Sequence, residues 1–116
     1  MNYSETRPWG SFTHLYDTNF TKVKTITVQP NQRLSLQSHK KRSENWTVVQ
    51  GTATIWLDDS IKDYQVGEST FIPVGTKHRL ENKTDQIVEI IEVQTGSYFG
   101  EDDIIRYEDD YNREDT

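Results

Sequence analysis

The sequence predicts an all-β domain, either a sandwich or a barrel, and three observations support this. Short β-branched and aromatic runs alternate with turn residues at the spacing typical of such folds. No segment between Phe12 and Gln94 keeps a helical period. The chain has 116 residues, the size of one domain. We expect residues 1–11 to form an N-terminal arm, 12–95 the barrel, and 96–116 an acidic C-terminal segment.

The predicted strands follow one another along the chain, and each ends at residues that favour a turn. Pro30 ends the first, Gly51 separates the next two, and Asp58 to Ser60 form a turn. Gly67 and Pro73 punctuate the second half. The strands bounded in this way cover residues 21–29, 44–50, 52–57, 61–66, 69–72, 78–82 and 86–94. At most one short helix is expected, over residues 101–111.

The composition and charge exclude several classes of function. The chain has no cysteine, which excludes disulfides and thiolate metal sites. The net charge of -6 lies entirely in the last 16 residues, because residues 1–100 hold 11 acidic and 11 basic residues. A neutral body argues against nucleic-acid binding, which needs a basic face. No stretch resembles a secretory signal or approaches the ~20 apolar residues of a membrane span. We therefore expect a cytoplasmic protein with no membrane partner.

Four residues with metal-binding side chains occur at an informative spacing. Gln37 and His39 are two positions apart, so they project from the same face of one strand. Glu44 can return from the adjacent strand, and a barrel can bring His78 opposite. Two imidazoles, a carboxylate and an amide oxygen suit Zn²⁺, Fe²⁺, Mn²⁺ or Ni²⁺ better than Ca²⁺. The spacing alone leaves open the alternative that both histidines are ordinary hydrogen-bonded residues.

The same alternation assigns further residues to the faces of the strands. If Gln37 and His39 face a cavity and their strand is unbroken, Arg33 and Ser35 face it too. Glu92 lies in the last barrel strand as a carboxylate among apolar neighbours. These three residues are therefore candidates for contact with a bound ligand.

Two stretches of sequence resemble the paired motifs of the cupin family. Residues 31–51, NQRLSLQSHKKRSENWTVVQG, resemble the first motif, and residues 67–82, GESTFIPVGTKHRLEN, resemble the second. Their order and their separation of about 15 residues form a specific signal. The resemblance implies a double-stranded β-helix, which is a jelly-roll barrel.

The likeness is closer to one group, the type II mannose-6-phosphate isomerase cupin. It rests on the segments RPWGS, RLSLQ, PVGTKHRLEN and EVQTGSYFGEDDIIRYEDDY, and it extends from Arg7 to Arg113. In many proteins that cupin follows a mannose-1-phosphate guanylyltransferase domain. The family's metal is typically zinc, and its ligand set falls on Gln37, His39, Glu44 and His78.

Several positions depart from the pattern of that family. Residues 40–42, Lys-Lys-Arg, replace a histidine-rich stretch, and Asn45 replaces the usual histidine before the tryptophan. The basic stretch is expected to alter the electrostatics at the mouth of the pocket.

The resemblance implies an aldose–ketose isomerase that acts on a sugar phosphate. A base must reach the substrate carbons, and Glu92 is the candidate, with Lys24 or Arg79 as electrophilic helpers. Arg33, with Ser35 beside it, is the candidate for phosphate binding, because arginine binds phosphate in a bidentate manner. The alternatives are a structural salt bridge for Arg33 and a buried ion pair for Glu92.

The same observations leave alternative functions open, and they lead to an expectation for the oligomeric state. The alternative to the isomerase is a non-catalytic cupin that binds a sugar or a nucleotide sugar. Another sugar-modifying cupin, such as an epimerase or ketoisomerase, is a further alternative. The hydrophobic fraction is only 32%, which indicates a modest core. Because dimers are frequent among cupins, we expect a homodimer.

Overall fold

The fold consists of strands joined by short turns. A computed structural model describes residues 3–111, and no helix occurs among them. The strands are β1 (Tyr3–Arg7), β2 (Gly10–Asp17), β3 (Thr21–Val28), β4 (Leu36–Ser38), β5 (Arg42–Gln50), β6 (Ala53–Leu57), β7 (Ser60–Tyr64), β8 (Ser69–Ile72), β9 (His78–Glu81), β10 (Val88–Gly96) and β11 (Ile105–Glu108). The all-β prediction is confirmed.

The strands form two antiparallel sheets that enclose one core. The first sheet has the order β1-β2-β3-β10-β5-β8 and the second β11-β4-β9-β6-β7. Neighbours in each sheet are often distant in sequence, as expected for a jelly roll. The buried apolar cluster joins side chains from both sheets, among them Ile26, Val48 and Ile90 from the first and Ile55 and Leu80 from the second.

The inward side chains of three neighbouring strands change from apolar to charged along the barrel. These inward series are Val28, Ile26 and Lys24 in β3; Val88, Ile90, Glu92 and Gln94 in β10; and Val48, Trp46, Glu44 and Arg42 in β5. The register places Glu92 opposite both Lys24 and Trp46. One end of the barrel is therefore a hydrophobic core and the other end a polar cavity.

The turns lie where the sequence predicts them, and their backbone explains the residues found there. Gly51, between β5 and β6, has φ 77°, and a Cβ at this position would lie 2.5 Å from the Ile87 carbonyl oxygen. Only glycine adopts this positive φ without strain and has no side chain to clash with that oxygen. Asn31 has φ 61°, which asparagine tolerates better than most side chains.

Two expectations about local structure are corrected. Residues 105–108 form strand β11 rather than part of a helix, because they pair with β4 at the edge of the second sheet. The strand expected from Arg33 to His39 is also interrupted. Only Leu36–Ser38 is a strand, and Arg33 forms an isolated bridge with Glu81.

Both terminal segments contribute strands to the sheets. Within the proposed N-terminal arm, Tyr3–Arg7 forms β1 and pairs with β2.

No helix within residues 3–111 is long and apolar enough to cross a membrane.

Candidate metal centre

Three of the four predicted metal ligands lie together at the polar end of the barrel. His39 follows β4, Glu44 lies in β5, and His78 begins β9. All three side chains are buried, and one potential ligand atom from each lies within 4.8 Å of the others. Gln37 is the register partner of His78 across β4 and β9, and it lines the adjacent cavity. The structure therefore brings the predicted set to one place.

The hydrogen bonding of His78 favours metal binding. Its Nδ1 lies 2.9 Å from the Thr76 carbonyl oxygen, which can only accept, so Nδ1 carries the proton of the neutral ring. Its Nε2 then presents a lone pair. That buried atom has no hydrogen-bond partner within residues 3–111 and lies 3.9 Å from Glu44 Oε1. Histidines that bind metals usually donate one ring N–H to a carbonyl or carboxylate oxygen and bind the metal through the other ring nitrogen.

The ionisation of the other two residues also fits a cation. Burial, and then the charge of the neighbouring Arg42, lower the pKa of His39 to about 3, so its ring is neutral near pH 7. Burial opposes ionisation of Glu44, but the positive charge beside it, including that of Arg42, nevertheless holds its pKa below the ordinary value. Neutral imidazole and ionised carboxylate are the forms that bind metals.

Arg42 contacts two members of the cluster directly. Its Nε donates to Glu44 Oε2 at 2.9 Å, and its Nη2 lies 3.0 Å from His39 Nε2. Because a guanidinium only donates, His39 Nε2 accepts this bond. The other ring nitrogen, Nδ1, lies 3.4 Å from Glu44 Oε2. A metal bound through His39 Nε2 therefore requires Arg42 to give up this contact.

A cavity of about 260 Å³ adjoins the cluster and has a positive lining. Its acidic residues are Glu44, Glu92 and Glu101. Its basic residues are more numerous: Arg7, Lys24, Arg42, Arg79 and Arg106. An excess of cations in a partly enclosed space favours an anionic ligand.

Glu92 lies in the wall of this cavity beside Glu44. Trp46 Nε1 donates to Glu44 Oε1 at 2.9 Å and to Glu92 Oε1 at 3.1 Å. Gln94 Nε2 donates to Glu92 Oε2 at 2.6 Å, and Lys24 Nζ lies 3.8 Å from the same oxygen. Burial and then the charge of Glu44 raise the pKa of Glu92. The candidate base is thus held by three neighbours.

Two of the predicted ligand-binding residues lie elsewhere. Arg33 does not line the cavity; its Nε and Nη2 donate to the Asp110 carboxylate at 2.8 and 2.9 Å. Ser35 is buried and accepts a hydrogen bond from Gln37 Nε2. Neither faces the cavity, because β4 begins only at Leu36 and the alternation does not extend back to these positions. A role for them in phosphate binding stays a prediction.

Arg79 lines the cavity as predicted, but its donors are occupied. Its Nε donates to the Leu34 carbonyl oxygen at 2.8 Å, and Nη1 and Nη2 donate to a carboxylate oxygen and the carbonyl oxygen of Glu108. This fully buried side chain joins β9 to β11. Its contacts support the wall of the cavity rather than an electrophilic role.

The sequence interpretation missed several charged residues that line the cavity. Arg42 belongs to the basic stretch expected at the mouth of the pocket, but its two-residue spacing from Glu44 places both on the same face of β5, in the cavity lining. Arg7, Arg106 and Glu101 come from outside the predicted barrel strands, so no strand period could have identified them. By contrast, Asn45 is exposed on the opposite face of β5 and does not enter the cavity.

Comparison with known proteins identifies relatives over most of the chain. Residues 1–109 match the family described as Mannose-6-phosphate isomerase C-terminal. Xanthan biosynthesis protein XanB from Xanthomonas campestris pv. campestris (strain B100) is 48% identical over 107 residues, which are 92% of this chain and 23% of that protein. Mannose-1-phosphate guanylyltransferase from Salmonella montevideo is 45% identical over the same shares of each chain. The chain spans about a quarter of the length of these relatives.

A solved structure also supports the fold. The capsular polysaccharide assembling protein CapF from Staphylococcus aureus superimposes with a TM-score of 0.78 at 25% identity, covering 93% of this chain and 34% of CapF. The predicted cupin barrel is confirmed.

Proposed function

The chain belongs to the family of mannose-6-phosphate isomerase C-terminal domains, and on this premise we propose that it is a metal-dependent isomerase that interconverts mannose 6-phosphate and fructose 6-phosphate. One observation carries the proposal: the buried cluster of His39, Glu44 and His78 adjoins a cationic cavity whose wall holds Glu92. The name of one relative refers to xanthan biosynthesis, which supports a role in supplying precursors for polysaccharides.

Gln37, His39, Glu44 and His78 would hold one divalent cation, and we propose zinc. The nitrogen and oxygen donors, together with the open Nε2 of His78, suit zinc's preferences. When bound, such a cation acts as a Lewis acid that polarises the sugar oxygens. Iron, manganese and nickel suit the same donors and are the competing assignments.

The proposed proton transfer relies on Glu92. Its carboxylate takes the proton from C2 of the open-chain aldose and delivers it to C1, while the hydroxyl proton passes from O2 to O1, so composition is unchanged. Trp46 and Gln94 hold the carboxylate in place through hydrogen bonds. Lys24 Nζ, 3.8 Å from Glu92 Oε2, adds a positive charge beside the same carboxylate.

The test combines turnover with metal content in histidine variants. The zinc-loaded chain should convert mannose 6-phosphate to fructose 6-phosphate, and a chelator should abolish this until zinc is restored. His39→Gln should lose both bound metal and turnover. His14→Gln is the matched control, because His14 is also buried but stacks on Tyr3 outside the cluster. It should retain both properties.

A different outcome would favour the binding alternative. Deuterium from solvent should enter C2 during turnover, because a base that lines a partly open cavity exchanges its proton with water. A zinc-loaded chain that binds mannose 6-phosphate, yet shows neither turnover nor exchange, would be a sugar-binding cupin without catalysis.

We also propose that the protein is a homodimer. The outer face of the first sheet carries a row of uncharged side chains across five strands, namely Tyr16, Val23, Val93, Asn45 and Phe71. Tyr16 is 55% and Phe71 56% exposed. An uncharged, partly apolar row of side chains across a sheet face suits sheet-on-sheet packing with a second copy.

A further inference from the structure

The loop between β10 and β11 forms part of the cavity wall and is fixed on both sides. Glu101 and Ile104 from this loop line the cavity. Phe99 is buried, and Lys22 Nζ donates to its carbonyl oxygen at 3.1 Å. The Asp103 carboxylate accepts hydrogen bonds from the backbone N–H groups of residues 40 and 41, at 3.1 and 2.9 Å. Glu101 is therefore held at the cavity by a well-anchored loop.

Glu101 faces two buried cations at once. Its Oε2 lies 3.5 Å from Lys24 Nζ and 3.9 Å from Arg42 Nη1. The side chains of Lys24 and Arg42 are only 6% and 4% exposed, whereas that of Glu101 is 50% exposed. The cations thus belong to the rigid barrel, and the carboxylate contacts them from the solvent side.

The contact leaves the hydrogen-bonding capacity of Arg42 incomplete. Its Nε and Nη2 are engaged with Glu44 and His39, but its buried Nη1 makes no hydrogen bond within residues 3–111. At 3.9 Å, Glu101 compensates charge without forming a hydrogen bond. A buried donor left without an acceptor is unfavourable, so this position favours a ligand that brings an acceptor closer.

Two other arginines of the cavity are less available to an anion. All three nitrogen positions of Arg79 are bonded to Leu34 and Glu108. Arg7 donates to Glu5 Oε1 and to the carbonyl oxygen of Thr6. Lys24 and Arg42, by contrast, converge on a single carboxylate oxygen.

We propose that Lys24 Nζ and Arg42 Nη1 form the anion subsite of the cavity, and that Glu101 is a built-in counter-ion which a phosphate monoester displaces. The proposal rests on the proposed function in taking a sugar phosphate as the occupant. A phosphate carries several acceptor oxygens and up to two charges, so it can bond both cations where the carboxylate only approaches them. A neutral sugar offers no compensating charge. Glu101 would therefore make the cavity discriminate against unphosphorylated sugars.

Calorimetric titration with inorganic phosphate tests this at fixed, physiological ionic strength, first on the metal-free chain, in which Arg42 keeps its contact with His39, and then on the zinc-loaded chain. Glu101→Gln removes the competing charge and should tighten phosphate binding roughly tenfold, given the strength of one charge interaction at this distance. Asp102→Asn is the matched control: it changes the charge by the same amount in the same loop, but Asp102 bonds to the Tyr98 hydroxyl instead. It should alter binding less than about twofold, since exposed charges are well screened.

A third variant tests the cationic side of the subsite. Lys24→Gln should weaken phosphate binding, and it should do so in the Glu101→Gln background as well. Binding by Glu101→Gln that equals or falls below that of the wild type would overturn the proposal. An equal gain in Asp102→Asn would also overturn it, because net charge alone would then explain the effect.

The binding measurements do not depend on turnover. Phosphate binding that follows the expected pattern without isomerisation would reject the proposed function and retain the subsite. Isomerisation by a chain in which Glu101→Gln does not tighten phosphate binding would retain the proposed function and reject the subsite. The phosphate would then bind at another cation of the cavity.

Discussion

Trp46 is the donor shared by the two buried carboxylates of the site, and Trp46→Phe tests how much that sharing contributes. Its indole Nε1 donates to Oε1 of both Glu44 and Glu92, at 2.9 and 3.1 Å. Phenylalanine keeps the aromatic packing but has no donor. Both Oε1 atoms would then lose this hydrogen bond, while Arg42 and Gln94 would still contact the other oxygens.

The expected loss can be estimated from burial. A buried acceptor without its donor costs ~1–3 kcal/mol, and a charged one costs more. Two carboxylates are affected, and repulsion between them is no longer offset by the N–H group. We expect Trp46→Phe to lower the free energy of unfolding by about 2–4 kcal/mol. Because Trp46 also orients Glu44, metal affinity should fall about 10–100-fold.

The chain provides a matched control in Trp56→Phe. Trp56 Nε1 also donates to a carboxylate at 2.9 Å, that of Glu81, but this contact is only partly buried. Water can replace the lost donor there, so the cost should stay near 1 kcal/mol. Urea denaturation with a chelator present gives both free energies without a contribution from metal binding. Equal losses in the two variants would refute the argument that burial sets the cost.

Two further predictions concern the surface of the protein. Light scattering at micromolar concentration should give the mass of two chains; Phe71→Glu should give one, whereas Ile61→Glu, at a similarly exposed position on the other sheet, should leave the dimer intact. A monomeric wild type would exclude the dimer. The hydrogen bond and charge of Arg33 lower the pKa of Asp110 in the folded state. This pair therefore stabilises the fold above the unfolded pKa of ~3.9, and the contribution is lost as pH falls through the lower, folded pKa. Asp110→Asn should therefore cost less than about 1 kcal/mol at pH 7, because the pair is exposed, and an NMR-detected pKa for Asp110 at or above ~4 would contradict this.

The fold could be predicted because its turns carry strong local signals. The first predicted strand ends within one residue of β3, and the strand predicted over residues 69–72 coincides with β8. The edge strands β1 and β11 could not be predicted in this way. Residues 105–108 contain few β-branched residues and no turn residue inside the segment, and their pairing with β4, about 70 residues earlier in the sequence, determines their conformation.

The metal cluster could be predicted for a different reason. Its members lie at or beside the ends of strands whose alternation, together with the family motifs, assigns them to one face. Arg33 shows the limit of that argument, because a break of a few residues before β4 cancels the alternation. Glu101 shows a second limit: it reaches the cavity from a loop, whose path depends on anchors such as Phe99 that have no periodic signature.

The polar end of the barrel is better explained by ligand binding than by stability. Glu44 is paired with Arg42, and Glu92 lies near Lys24, with all four side chains at least nine-tenths buried. Pairs of this kind rarely repay the cost of removing both charges from water, and apolar residues of similar size often stabilise a fold more. In the same three strands, the inward residues two positions away from Lys24, Glu92 and Glu44 on the side of the hydrophobic core are apolar. The barrel can therefore accommodate apolar side chains beside the charged ones. The charged end therefore lowers the stability that the core could reach, and the proposed binding of a metal and an anion in this cavity would supply a reason for it.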